Sequence, residues 1–268
     1  MLKEAMQEVR SKITPKFLIL SLLLIVAIIS SAVYRSQNYE LRDGLNFFTF
    51  TLDGTLPISF PIITVLVYAA SFSEEVHHRF LTYTRMRRPI IETIYIKLIA
   101  NVILTCLFFF ILVYVCFTFA YYIEPLLGIA KYDPEGYGLT QENIAADTYT
   151  RHTFTQLLRY GTFTYSILYS LWVGINAAVY SAISFCLVIL LKNRFLALSL
   201  PYITYIVVTL SFASLGLNTY RPTYALFPFD YMQSPIWTAC VPFLVLAGTL
   251  ALLILYLRPT LSKADSLI

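Results

Sequence analysis

Glu74, Glu75, His77, His78 and Arg79 bring carboxylates, imidazoles and a guanidinium together in one short stretch, where acid–base or metal chemistry could be assembled. Imidazoles titrate near neutrality, so His77 and His78 could sense pH or hold an ion. Adjacent helix positions, however, point about 100° apart and do not readily share one ion, so both read as solvated helix residues. The chain has three histidines, and the third, His152, falls in a separate polar loop. The nine glycines never build G-x-x-x-x-G-K-[ST], so no loop of backbone amides is set up to cradle phosphates. Cys106, Cys116, Cys186 and Cys240 all lie in apolar runs without C-x-x-C spacing, which indicates neither zinc nor a disulfide framework.

The carboxylate–imidazole stretch reads better as a docking surface. Residues 71–97 form a charged, helix-capable island between two long apolar runs. Ser71-Phe72-Ser73-Glu74 has the spacing of a capping box, and Glu75 and Arg79 stand at i and i+4 in the favourable order. Val76, Phe80 and Tyr83 make an apolar stripe for a partner to contact. Arg85, Arg87 and Arg88 then precede Pro89, which suits the first turn of a new helix and disfavours helix just before it. For Arg87 and Arg88 a purely topological role explains the charge equally well.

The elements that must position this island belong to a membrane protein. Hydrophobic residues make up 58% of the chain and charged ones 13%. Six apolar runs, 17–34, 56–72, 98–123, 165–191, 195–215 and 236–257, are long enough to cross about 30 Å of hydrocarbon. Helices are expected there, because in lipid each backbone donor and acceptor must be satisfied within its own segment. Pro57 and Pro61 make the second run the weakest. The first run reads as a retained anchor rather than a signal peptide, since its apolar core is too long. With both ends on the same side, 13 of the 19 basic residues fall on that side and nine of the 15 acids on the other. That bias places both termini in the cytoplasm, and the net charge of +4 reports topology rather than nucleic-acid binding.

Leu2, Ala5, Met6, Val9 and Ile13 recur at helical spacing, which predicts an amphipathic helix on the inner leaflet over 1–15, with a solvated basic terminus as the plainer reading. Residues 124–162 read as an outer loop in which 140–160 could form a capped helix. Residues 216–235 pack Tyr220, Tyr224, Phe227, Phe229 and Tyr231 between prolines, as either an interfacial aromatic belt or a re-entrant gate. Within the runs, Asn101 and Asn176 are the most polar groups, and each is expected to hydrogen-bond between helices. No central Asp, Glu or His marks a proton pathway, so an active transporter would draw its energy from another subunit.

On this arrangement the whole chain resembles the membrane subunit of an ABC-2 type transporter. The wording E-E-x-x-x-R-F-L-T-Y-T-R-x-R-R-P from Glu74, followed by Tyr95 and Lys97, is similar to that family's pattern of acid, then Arg or Thr, then basic residue, then Lys. The resemblance implies an all-α integral membrane domain over 1–268 with six spans and an amphipathic elbow at Leu2–Ile13. It places a cytosolic coupling helix within 73–92, carried by Glu74, Glu75, Arg79, Phe80, Leu81, Tyr83, Arg85, Arg87 and Arg88. It also implies an outer gate between spans five and six at Tyr220, Arg221, Pro222, Phe227, Pro228 and Phe229. Two permease chains, identical or similar, would sit in a bacterial plasma membrane above two ATPase subunits that bind the ATP and magnesium. The chain itself would carry no cofactor, metal or catalytic residue, and the cargo would be exported and amphipathic: a peptide, an antibiotic or a lipid. The long loop after span three departs from the family pattern.

Two other classes remain open. Glu74, Glu75 and Arg79 also satisfy E-E-x-x-x-R, seen in intramembrane proteases of the CAAX-processing type, but no downstream span supplies the histidines such a site uses. A passive channel or membrane scaffold would need no cytosolic helix to fill a partner's groove.

Overall fold

A computed structural model describes residues 1–77, 89–140, 142–229 and 232–266, with side chains described to residue 259. Among the described residues the fold is all-helical apart from one two-residue parallel pairing. Helix α1 (Leu2–Lys12) leads through Thr14, whose hydroxyl caps the Phe17 amide, into α2 (Pro15–Ser36). Strand β1 (Glu40–Leu41) precedes α3 (Gly44–Asp53), α4 (Leu56–Val67) and α5 (Ala69–His77). After the undescribed segment, α6 (Ile90–Thr118) runs through a π-helical turn (Phe119–Ile123) into α7 (Glu124–Leu127). Strand β2 (Lys131–Tyr132), α8 (Ile144–Thr150) and a 3-10 helix (Thr153–Tyr160) follow, then α9 (Thr162–Leu190) and α10 (Arg194–Ser214). A 3-10 turn (Asn218–Tyr220), α11 (Pro222–Leu226) and α12 (Ile236–Ser266) complete the chain.

Among the described residues, five helices are long and apolar enough to cross a membrane: α2, α6 with its continuation to Leu127, α9, α10 and α12. The second of the six expected runs, 56–72, differs. α4 alone has 12 residues, or about 18 Å, too short for the hydrocarbon core. Only together with α3, to which it is bent by 61°, is the stretch long and apolar enough, as a broken span or a re-entrant loop. The break has a local cause. Pro57 starts a fresh helix in its first turn, and Gly54 ends the previous one where the Arg35 guanidinium passes. A Cβ on Gly54 would collide with Arg35 Nη2, which donates to the Phe50 carbonyl at 3.0 Å.

The centre of the bundle is α9, 78% buried over its apolar window, against 11%, 17% and 6% for α2, α10 and α12. Lipid tails are as apolar as Leu, so helices associate here through close packing and interhelical hydrogen bonds. α9 accordingly carries small residues, Gly174, Ala177, Ala178, Ser181 and Ala182, and packs most extensively on α6. An added Cβ on Gly174 would meet the Cys106 carbonyl of α6 at 2.7 Å. Asn101 meets its expectation, its Oδ1 accepting from Ser181 Oγ across the same seam at 2.7 Å. Asn176 does not: its amide donates to Trp172 O within α9.

The helices leave two distinct ends. At one, α1 lies against α6; at the other, residues 124–140 and 142–161 fold into a cap. The expected single helix over 140–160 is two pieces, because His152 leaves helical geometry (φ −151, ψ 172) and caps the 3-10 turn instead. The cap is clasped to the start of α3. Arg151 bridges Asp43 at 2.6 Å and Asp147 at 2.5 Å, while Asp43 also accepts from the Asn46 amide and the Thr148 hydroxyl.

Candidate functional site: an ionic junction at the α1 end

Lys97 lies two turns into α6 with 7% of its side chain exposed, an arrangement that buries an ammonium unless carboxylates meet it. Two do. Its Nζ is 2.8 Å from Glu8 Oε1 of α1 and 2.8 Å from Glu75 Oε2 of α5. The other Glu75 oxygen is bound by Lys12, which also reaches Ser71 Oγ at 3.2 Å. Tyr68 donates its hydroxyl to Glu8 at 3.1 Å, and its ring centroid lies 5.4 Å from the Lys12 ammonium. Among the described residues, two lysines and two glutamates thus form an ionic network tying α1, α5 and α6.

Helical spacing explains why these side chains converge. Glu8 and Lys12 are i and i+4 on α1, the favourable order, and Tyr68, Ser71 and Glu75 share one face across the start of α5. Beneath them, Ala5 and Val9 of α1 pack into an apolar cluster with Tyr68, Phe72, Ile94 and Phe185. Phe72 stacks on Phe185 with centroids 3.9 Å apart. Leu2 and Met6 of α1, and Ile13 just after it, stay exposed. Burial pushes the Glu75 carboxyl up, but hydrogen bonds and charge from Lys12 and Lys97 outweigh it, so the group is held below the usual carboxylate range.

The residues singled out from sequence divide sharply. Glu75 is in the junction, whereas Glu74, one position before it, is exposed, as is His77. His78, Arg79, Phe80, Leu81, Tyr83, Arg85, Arg87 and Arg88 lie outside the described residues, as does the expected Glu75–Arg79 pair. The Ser71 capping box is absent. α5 already begins at Ala69, so Ser71 sits inside the helix and its hydroxyl donates to Tyr68 O at 3.1 Å. Glu75 pairs across helices. Pro89 immediately precedes α6, as its fixed φ favours. Sequence patterning does not single out Glu8, Lys12 or Tyr68 as members of a site. The one available signal is the Glu8–Lys12 spacing, on a helix whose apolar face dominates its reading.

At the cap end lies the segment expected to form an outer gate or an interfacial aromatic belt. Among the described residues it holds the 3-10 turn, the five-residue α11 and non-helical backbone beyond it, with Tyr224, Phe227 and Pro228 buried. Tyr169 donates to Leu226 O and Trp172 to Ala225 O, each at 2.8 Å, so α9 pins the backbone where α11 ends. Phe227 meets Phe60 of α4 at 5.7 Å, and Phe229 meets His152 of the cap at 5.4 Å. Tyr220, Arg221 and Pro222 are partly exposed at the margin, and Tyr231 lies outside the described residues. His152 is fully buried, its Nε2 3.4 Å from Tyr165 OH. Burial, with Arg151 adjacent, brings its pKa down to about 3, so the ring is neutral near pH 7. No group of three His, Cys, Asp or Glu side chains among the described residues is placed to hold a metal ion. No family model, curated protein or solved structure matches the chain.

Proposed function

We propose that the chain is the membrane permease subunit of an ABC-2 type exporter, moved by a separate ATPase that docks on residues 74–88. The junction of Glu8, Lys12, Glu75 and Lys97 carries this reading. It joins the amphipathic α1, the helix leading into the docking segment and the helix leading out of it. A push on 78–88 would therefore reach α1, α5 and α6 together. A loose connecting loop between two spans would not need a buried lysine held by two helices. In this reading α3 and α4 form one broken span, so that the count is six, both termini are cytoplasmic and the clasped cap is outside. ATP and magnesium belong to the partner, a second permease chain completes the pathway, and the cargo is amphipathic.

Glu75 serves as a structural anion in this arrangement, which speaks against its acting as the base of an intramembrane protease. A channel or scaffold would leave the junction without a load to transmit. The experiment is co-purification of the tagged chain with an ATPase subunit expressed from the same host. Phe80→Asp with Tyr83→Asp should abolish recovery of the ATPase while membrane insertion persists. Undiminished recovery and transport in that variant would overturn the assignment.

A further inference from the structure

We propose that the space walled by α9, α10, α12 and α11 is a binding site for one hydrocarbon chain of a membrane phospholipid, entered sideways between α10 and α12. The site requires only that the chain lie in a bilayer and is independent of the ATPase reading.

The space has a volume of about 530 Å³. It extends from Leu200 to Phe212 along α10 and from Val241 to Leu253 along α12, about 18 Å in each case at 1.5 Å per residue. That length is more than half of the roughly 30 Å hydrocarbon core, the depth one lipid chain occupies. A slot of that length, open along its lipid side, takes an extended alkyl chain.

The walls are predominantly apolar. Among the described residues no charged side chain lines the space, and three of its six polar side chains are engaged elsewhere. Asn176 donates to Trp172 O, Tyr205 to Pro57 O at 2.8 Å and Thr249 to Val245 O at 2.9 Å. An apolar void of this size would forfeit dispersion contacts along its whole wall, and a lipid chain is the apolar matter at hand. The way in is visible from exposure. Val245 is 68% exposed and also lines the space, so wall and lipid-facing surface are continuous. α10 and α12 each pack on α9 rather than chiefly on each other, which leaves the slot between them. α11, pinned by Tyr169 and Trp172, closes the cap end.

The test uses the purified, delipidated chain with palmitoyl-oleoyl phosphatidylcholine as probe, read by native mass spectrometry. A one-to-one adduct is expected. Thr204→Phe with Thr249→Phe fills the slot and should reduce the adduct about tenfold or more, whereas Leu210→Phe, on the lipid face away from the slot, should leave it unchanged. The single variant Thr249→Leu reads the same effect to a smaller degree if the double variant does not fold. A second readout is Trp172, whose ring packs 5.3 Å from Phe243 of the wall. In a Trp237→Phe background, tail-brominated phosphatidylcholine should quench Trp172, and filling the slot should restore emission. An adduct or quenching indifferent to filling overturns the proposal. So does a lipid-free dimer that dissociates when the slot is filled, which would make a second copy the occupant.

Discussion

Replacing Lys97 by Met keeps the length and apolar stem of the side chain and removes the charge that α1 and α5 share. At 2.8 Å each lysine–carboxylate contact is worth about 6 kcal/mol of Coulomb energy at an effective dielectric constant near 20, before desolvation. Desolvation cancels most of that, and removal of one partner from a buried pair costs about 3–5 kcal/mol, chiefly from the charge left behind. Here Lys12 still neutralises Glu75, and both glutamates keep roughly a fifth to a quarter of their surface. The lower end, about 3 kcal/mol, is the appropriate expectation. That is about 100-fold or more in the equilibrium between docked and undocked α1. The amphipathic face would hold an undocked α1 at the membrane, so the assay must read position rather than helicity. Nitroxides at Ser11→Cys and Glu92→Cys, both exposed, with Cys106 and Cys240 replaced, report the α1–α6 distance by pulsed electron resonance. A narrow distribution is expected with Lys97 in place and a broad, longer one in Lys97→Met. Lys97→Arg, which retains the charge, should keep most of the narrow component. An unchanged distribution in Lys97→Met would refute the idea that the junction holds α1 in place.

The same labels test the pH dependence. Glu75 is held below its ordinary value, so its contribution is complete above the usual carboxylate range and is lost as pH falls through the lowered one. Docking of α1 should therefore be constant across neutral and mildly acidic pH and loosen only below about pH 4; loosening near pH 6 would contradict the assignment. At the α6–α9 seam, Gly174→Ala places a methyl 2.7 Å from a backbone carbonyl that cannot rotate away. A loss of about 1–3 kcal/mol is expected, read as a lower unfolding midpoint in detergent, and an unshifted midpoint would mean the helices can part at no cost.

Where α9 and α12 begin follows closely from hydropathy, because an apolar run in lipid has no alternative to satisfying its own backbone. The α1 helix is equally legible from its spacing. Legibility fails where two segments meet. Ser71 has the local pattern of an N-cap, but the helix starts earlier, where Phe72 stacks on Phe185, a residue far along the chain. Asn176 and Asn101 look alike in sequence, yet only Asn101 faces a hydroxyl on the neighbouring helix.

Composition and periodicity alone establish a helical protein with runs long and apolar enough to span a membrane and a charged connection between its second and third runs, since both properties are local and additive along the chain. Which lysine faces which glutamate is different. Glu8, Glu75 and Lys97 carry no mutual spacing signal, and a buried charge is tolerated only where folding brings its counter-charge within about 3 Å. The slot between α10 and α12 is likewise a property of three helices at once, set by how α9 separates its neighbours.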